Sequence, residues 1–219
     1  DILWDQNFRY NMAIRKTIEA IIDTYSGDKE SADYKAFITY AKRVFFANGI
    51  HHHYSNDKFV PGFSADYFAQ MVNGSDAARL PLKEGQTAAD LAAQLTPVLF
   101  DPSLYAKKVD QKEGADMITA SANNFYEGVT QAEVEAYYAT LADPADPRPV
   151  SWGLNTKVVK LEGKVTEMPW KSGGMYGQAI DKIVYWLEKA RDVALSETQK
   201  QELDLLIQYY RSGDLKTWD

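Results

Sequence analysis

Every imidazole in the chain stands in one run: His51, His52 and His53 are its only histidines, set within residues 48–61. Histidine-based metal binding or proton transfer must therefore come from this one place. Two imidazoles on one face of a segment could hold a zinc ion if a carboxylate joined them, and Asp57 is placed to do so. In an extended backbone, His51 and His53 would share a face and His52 would point the other way. No His-Glu-x-x-His stretch occurs, and no distant histidine is present to complete a three-imidazole site. Structural or substrate-facing histidines are the competing reading.

Other constellations carry less. Ser55 and Ser64 are candidate nucleophiles by residue type alone, and no Gly-x-Ser-x-Gly elbow accompanies them. The count of Cys is 0, which excludes disulfides, thiolate catalysis and Cys-based zinc sites without identifying a compartment. The glycine-rich stretch 172–177 lacks nucleotide-binding spacing. It reads as a strand-to-helix turn, with an anion or peptide-backbone contact as the sharper alternative. Asn123 and Asn124, in ASANNFYEG (residues 120–128), can donate and accept, which suits recognition of a peptide backbone. The same amides could instead satisfy loop carbonyls. Among 31 acidic residues, spacing selects no pair for glycoside hydrolysis.

The elements that must position these residues are mostly helical. Residues 7–25 carry Ile14, Ile18, Ile21, Ile22 and Tyr25 on one helical face, with Ser26-Gly27-Asp28 as the stop. After Ser31, a second helix buries Tyr34, Phe37, Ile38, Ala41, Val44 and Phe45 and ends at Asn48-Gly49, making a helical hairpin with the first. Beyond the histidine run, Ser64 caps a short helix bearing Tyr67, Phe68, Met71 and Val72. Thr87 with Asp90 precedes Leu91, Leu95, Val98 and Leu99, and Pro97 leaves the end of that helix open. Thr130 and Glu133 form a capping-box pattern ahead of Val134, Tyr137, Tyr138 and Leu141.

Pro144, Pro147 and Pro149 then break helix and sheet pairing, so residues 143–154 form a connector. Residues 155–161 and 164–168 read as a hairpin around Glu162-Gly163. Gly173-Gly174 permits a bend into a helix with Ala179, Ile180, Ile183, Val184, Leu187 and Ala190 along its inner side. Ser196 and Gln199 repeat the capping box before a last helix using Leu203, Leu206, Ile207 and Tyr210, stopped by Ser212-Gly213. The fold class is therefore α+β, predominantly α-helical with a small antiparallel β element. Its organisation reads as 1–142, a helical region with the histidine-rich loop; 143–154, the connector; and 155–219, a hairpin followed by two helices packed into the same lobe.

Composition sets the outer bounds. An apolar content of 45%, with 14 Tyr, 9 Phe and 5 Trp, belongs to a globular chain with a real core. A formal charge of -7 gives no electrostatic footprint for nucleic acid. No apolar run is long enough to cross a bilayer. The chain opens on Asp1 without a Met or a signal-like apolar stretch, as a trimmed precursor or an excised piece would, and a cytoplasmic or periplasmic location in a bacterium is compatible with either.

Four segments carry a family resemblance: VFFANGIHHHYSNDKFVP (44–61), ASANNFY (120–126), GGMYGQAIDKIVYWLEK (173–189) and YYRSGDLKTWD (209–219). In their order, they resemble the dipeptidyl peptidase III family of zinc exopeptidases, especially its bacterial members. The resemblance implies part of a two-lobed peptidase with a wide peptide-binding cleft, of which this chain would form the N-terminal, mainly lower-lobe portion. It implies that Tyr54 is an aromatic wall residue of the substrate cleft, flanked by His53 and Ser55; Asn123 and Asn124 stay substrate-binding candidates on their amide chemistry, and the resemblance assigns them no role. The family's zinc helix, His-Glu-x-x-x-His, and the second helix supplying a glutamate ligand have no counterpart in these 219 residues. Zinc is thus expected in a full-length parent and no cofactor on this chain. The segment with the substrate-anchoring glutamate and an assisting tyrosine is expected beyond residue 219. The implied function is the non-catalytic portion of an enzyme releasing N-terminal dipeptides from short peptides, its partners being those peptides and the zinc-bearing remainder of the polypeptide. A stand-alone, metal-independent peptide-binding module is the alternative, and a purely structural helical protein a third reading.

Overall fold

The structure is a computed structural model that describes Trp4 and residues 8–219. The expected start of the first helix at residue 7 and most of the opening segment lie outside those residues. The chain forms two compact units, Asp1–Asn124 and Phe125–Asp219. The fold is mostly α-helical with one small sheet, as the periodicities predict.

Among the described residues, the first unit is built around four amphipathic helices. Helix α1 (Asn11–Thr24) buries Ile14, Ile18 and Ile21, and the chain leaves it at Tyr25. Helix α2 (Ala32–Ala47) starts where the Ser31 hydroxyl accepts the Tyr34 N–H, and it buries Tyr34, Phe37, Ala41 and Val44. Its C-cap, Asn48, is left-handed at φ 54°, a conformation that Asn tolerates better than most residues. Gly49 follows at φ 152°, and a Cβ there would lie 2.7 Å from the Asn11 side chain. A glycine is needed for the backbone to turn off α2 this close to α1.

Helix α3 (Ala65–Asn73) is capped by Ser64 and buries Phe68, Met71 and Val72. Helix α4 (Ala88–Phe100) carries a complete capping box, Thr87 and Asp90 each bonding the other's backbone N–H. Pro97 does not stop it. The helix runs on past it, and its last turn closes through the Asp101 N–H to the Pro97 carbonyl at 3.1 Å. A single turn, α5 (Met117–Ala120), follows. One apolar cluster joins all four long helices, with Ile50 from the histidine segment fully buried in it.

In the second unit, β1 (Tyr126–Glu127) lies parallel to β2 (Thr156–Leu161), which pairs antiparallel with β3 (Lys164–Pro169). The hairpin was expected; β1 was not, because a two-residue strand has no readable period. Glu162 and Gly163, at φ 50° and 80°, form the two-residue turn with both residues left-handed that matches strand twist. Helix α6 (Gln131–Leu141) starts from the capping box of Thr130 and Glu133. Residues 143–154 contain no helix or strand. They are tied to the closing turn α9 (Leu215–Trp218), where Ser151 donates to the Asp219 carboxylate at 2.8 and 2.9 Å and Lys216 donates to the Arg148 carbonyl at 2.9 Å.

Helices α7 (Gly177–Asp192) and α8 (Glu197–Ser212) pack on each other through Ile180, Val184 and Ile207. Two expectations need correction here. The inner face of α7 is narrower than its apolar pattern suggests: Ile183 and Ala190 are exposed, because the apolar contact with α8 runs along the 180–184–187 stripe. Ser196 does cap α8, but the Gln199 side chain bonds the Leu195 N–H at 2.8 Å instead of completing a box with Ser196. No helix of the described residues is long and apolar enough to cross a membrane.

Candidate functional site

The histidine run is a tight hairpin, not the extended strand that simple alternation assumes. The Phe59 N–H bonds the Ile50 carbonyl at 2.8 Å, His51 pairs with Lys58, and the His52 N–H bonds the Asp57 carbonyl at 2.8 Å. The Asn56 N–H returns to the His52 carbonyl at 3.0 Å, with Asn56 left-handed at φ 62°. Residues 53–55 therefore form the tip. Two further strips extend the ladder: the Lys58 N–H bonds the Ala106 carbonyl, the Lys108 N–H bonds the Asn56 carbonyl, and the Ala122 N–H bonds the Lys107 carbonyl. Buried Ile50, worth about 1.5–3 kcal/mol on the usual scale for an aliphatic side chain, anchors the base in the first unit's core.

This geometry sends the three imidazoles to different environments. His51 is buried at 4% exposure, edge-on to Phe8, and its Nε2–H donates to the Tyr105 carbonyl at 2.8 Å. Burial lowers its pKa to about 4; the carbonyl bond opposes that shift, and the charges of Lys58 and Lys108 add to it. It is a neutral structural histidine at physiological pH. His52 turns its Nδ1 onto the tip, accepting the N–H groups of Tyr54 and Ser55, both at 3.2 Å. His53 faces outward, its ring stacked on His52 at 4.9 Å and edge-on to Phe46 at 5.2 Å.

The shared face imagined for His51 and His53 is thus absent. Asp57, the third member of that set, pairs with Lys107 at 2.6 Å. The Lys107 ammonium, and after it Ser55, hold the Asp57 carboxyl below the usual carboxylate range. Among the described residues, no three His, Asp or Glu side chains are grouped to hold a metal ion. No nucleophilic triad forms at Ser55 either: its hydroxyl accepts the Asp57 N–H at 3.3 Å, while the His52 Nδ1 is turned to backbone donors.

Three of the sequence-predicted site residues stand together at the tip. Tyr54 is 82% exposed, with its ring 4.2 Å from that of His53, and Phe46 beside them is 77% exposed. His53, Tyr54 and Ser55 make a protruding aromatic and polar surface on a hydrogen-bonded base. Asn123 and Asn124 lie on the neighbouring strip of the ladder. The Asn123 amide donates to the carbonyls of Ile118 at 3.3 Å and Ser121 at 3.2 Å, and Asn124 is buried at 6% exposure. Their placement has the form of loop-satisfying amides. In the 172–177 turn, the N–H groups of Ser172, Gly174 and Gly177 bond carbonyls of Tyr210, Lys171 and Gly174, so those donors close the turn.

Sequence reasoning missed the residues that hold the hairpin. The Lys58 ammonium donates to the carbonyls of Val98 at 3.1 Å, Leu104 at 2.5 Å and Asp101, closing the C-terminal end of α4. Tyr105, left-handed at φ 53°, presents its carbonyl to His51 while its hydroxyl accepts from Arg9 at 2.6 Å. These partners lie 40 to 96 residues apart in sequence, beyond any local signal.

No family model matches the chain. Dipeptidyl peptidase 3 of Mus musculus is 25% identical over 209 residues, covering 84% of this chain and 28% of the mouse protein. The same-named proteins of Rattus norvegicus and Homo sapiens are each 25% identical, over 205 and 207 residues, with the same coverage. The chain is distantly homologous to dipeptidyl peptidase III over part of its length, and it spans 28% of the length of these curated relatives.

Proposed function

We propose that this chain is the non-catalytic portion of a zinc-dependent dipeptidyl peptidase, supplying substrate-cleft surface to an enzyme that removes N-terminal dipeptides from short peptides. The observation that carries the reading is Tyr54: a large aromatic ring, 82% exposed, on the tip of a hydrogen-bonded hairpin. Exposing such a ring forgoes its burial energy, and a rigid ring with a polar end suits contact with a peptide's side chains or backbone. Distant homology to proteins named dipeptidyl peptidase 3 supports the peptide chemistry.

On this reading, Tyr54 packs on the substrate while His53 and Ser55 offer polar contacts, and Asn123 and Asn124 hold the adjoining strip. The described residues do not fit a zinc site, so the metal's Lewis-acid chemistry belongs to the remainder of the polypeptide and no step runs through it here. The test is incubation of the purified chain with tetra-alanine, with added zinc and with chelator. Dipeptide is expected in neither; zinc-dependent release by this chain alone overturns the non-catalytic reading. Calorimetric titration with the same peptide separates the alternative: saturable binding unchanged by chelator favours a metal-independent binding module.

A further inference from the structure

The tip that presents Tyr54 is closed by a titratable acceptor. The N–H groups of Tyr54 and Ser55 both point to the His52 Nδ1 at 3.2 Å. This is the position in which an Asn or Asp side chain closes a turn by accepting the N–H groups two and three residues on. An accepting nitrogen carries a lone pair and no proton, so His52 must be neutral with its proton on Nε2. Protonation turns both ring nitrogens into donors. Nδ1–H then faces two N–H groups, and the closure becomes a repulsion.

Titratable and aromatic groups surround the His52 ring. His53 stacks on it at 4.9 Å. The Tyr54 ring lies at 6.2 Å and the Phe59 ring stands edge-on at 6.0 Å. Asp57, whose carbonyl accepts the His52 N–H, has its carboxylate paired with Lys107 at 2.6 Å.

We propose that His52 is the positioning residue of the tip: neutral, it closes the turn and presents Tyr54; protonated, it releases the turn and withdraws that surface from a peptide. The consequence for peptide binding rests on the reading above, whereas the closure itself does not.

The test is an amide NMR titration of the whole chain from about pH 8 to about pH 5, the range in which imidazoles change charge. The Tyr54 and Ser55 amide signals are expected to move together in the wild type. They should move far less in His52→Asn, which keeps an acceptor that does not protonate. In His52→Leu they should stand at pH 8 near the wild-type acid positions, and His53→Asn should still titrate. Fixed signals in the wild type, titration of His52→Asn like the wild type, or wild-type positions in His52→Leu at pH 8 would each overturn the proposal. With tetra-alanine as probe, affinity should fall about tenfold on acidification in the wild type and not in His52→Asn, a fold-change matching about 1.4 kcal/mol. Signals that titrate as described without peptide binding at either pH leave the closure standing and sink the cleft reading instead.

Discussion

At the scale of single residues, three chemically identical side chains in a row have three different roles, and their environments assign them. His51 is inside the core, donating to the Tyr105 carbonyl; His52 accepts backbone N–H groups; His53 is stacked at the surface. The first of these has a pH signature. The folded pKa of His51 is about 4 against an ordinary 6.5, so the unfolded chain binds a proton that the folded chain refuses between those values. Stability is therefore fully present above about pH 6.5, falls as the pH drops, and is lost in full below about pH 4, by on the order of 3 kcal/mol. Urea denaturation at pH 7 and pH 4.5 should show a larger loss for the wild type than for His51→Gln, which keeps a donor for Tyr105 but no titrating ring. Equal losses in the two proteins would show that His51 does not contribute this way.

Elements were legible where their determinants are local. Ser31, Ser64, Thr87 with Asp90, and Thr130 with Glu133 all cap the helices their spacing announces. The apolar stripes of the first four helices bury as their periodicity requires. What was not legible depends on distant partners. Alternation along a presumed strand misplaced His51 and His53, because the run bends into a hairpin held by Ile50, Lys58 and Tyr105. The face of α7 was drawn too wide, since sequence shows which residues are apolar but not how much surface α8 covers. Lys58 shows the same limit. Its spacing says nothing, yet its ammonium meets three carbonyls at the end of α4. Replacing it by Met keeps the chain length and leaves those carbonyls without their cation. The expected loss is about 2 kcal/mol by chemical denaturation, above the ~1 kcal/mol of an ordinary cap such as Thr87→Ala. A smaller loss than Thr87→Ala would contradict the assigned role.

At the scale of the whole molecule, the two units carry different amounts of the story. The first has the broad core that fixes the hairpin and its tip; the second is a small sheet and a helix pair with several large apolar side chains in solvent. Of the candidate site, sequence and resemblance together pointed to His53, Tyr54 and Ser55, and these three share one exposed tip. The closure of that tip by His52 could not be read from spacing, because it needs the turn geometry itself. We propose for the whole molecule that it supplies surface to a peptide cleft whose zinc chemistry lies on other residues of the same polypeptide. The most direct measurement is to translate the complete reading frame that encodes residues 1–219 and assay its product for dipeptide release with and without chelator. A longer product bearing a His-Glu-x-x-x-His helix, releasing dipeptides only with zinc and showing about a tenfold higher KM in Tyr54→Ala, is predicted. A frame that ends at residue 219, or a longer product that releases no dipeptide, would contradict it.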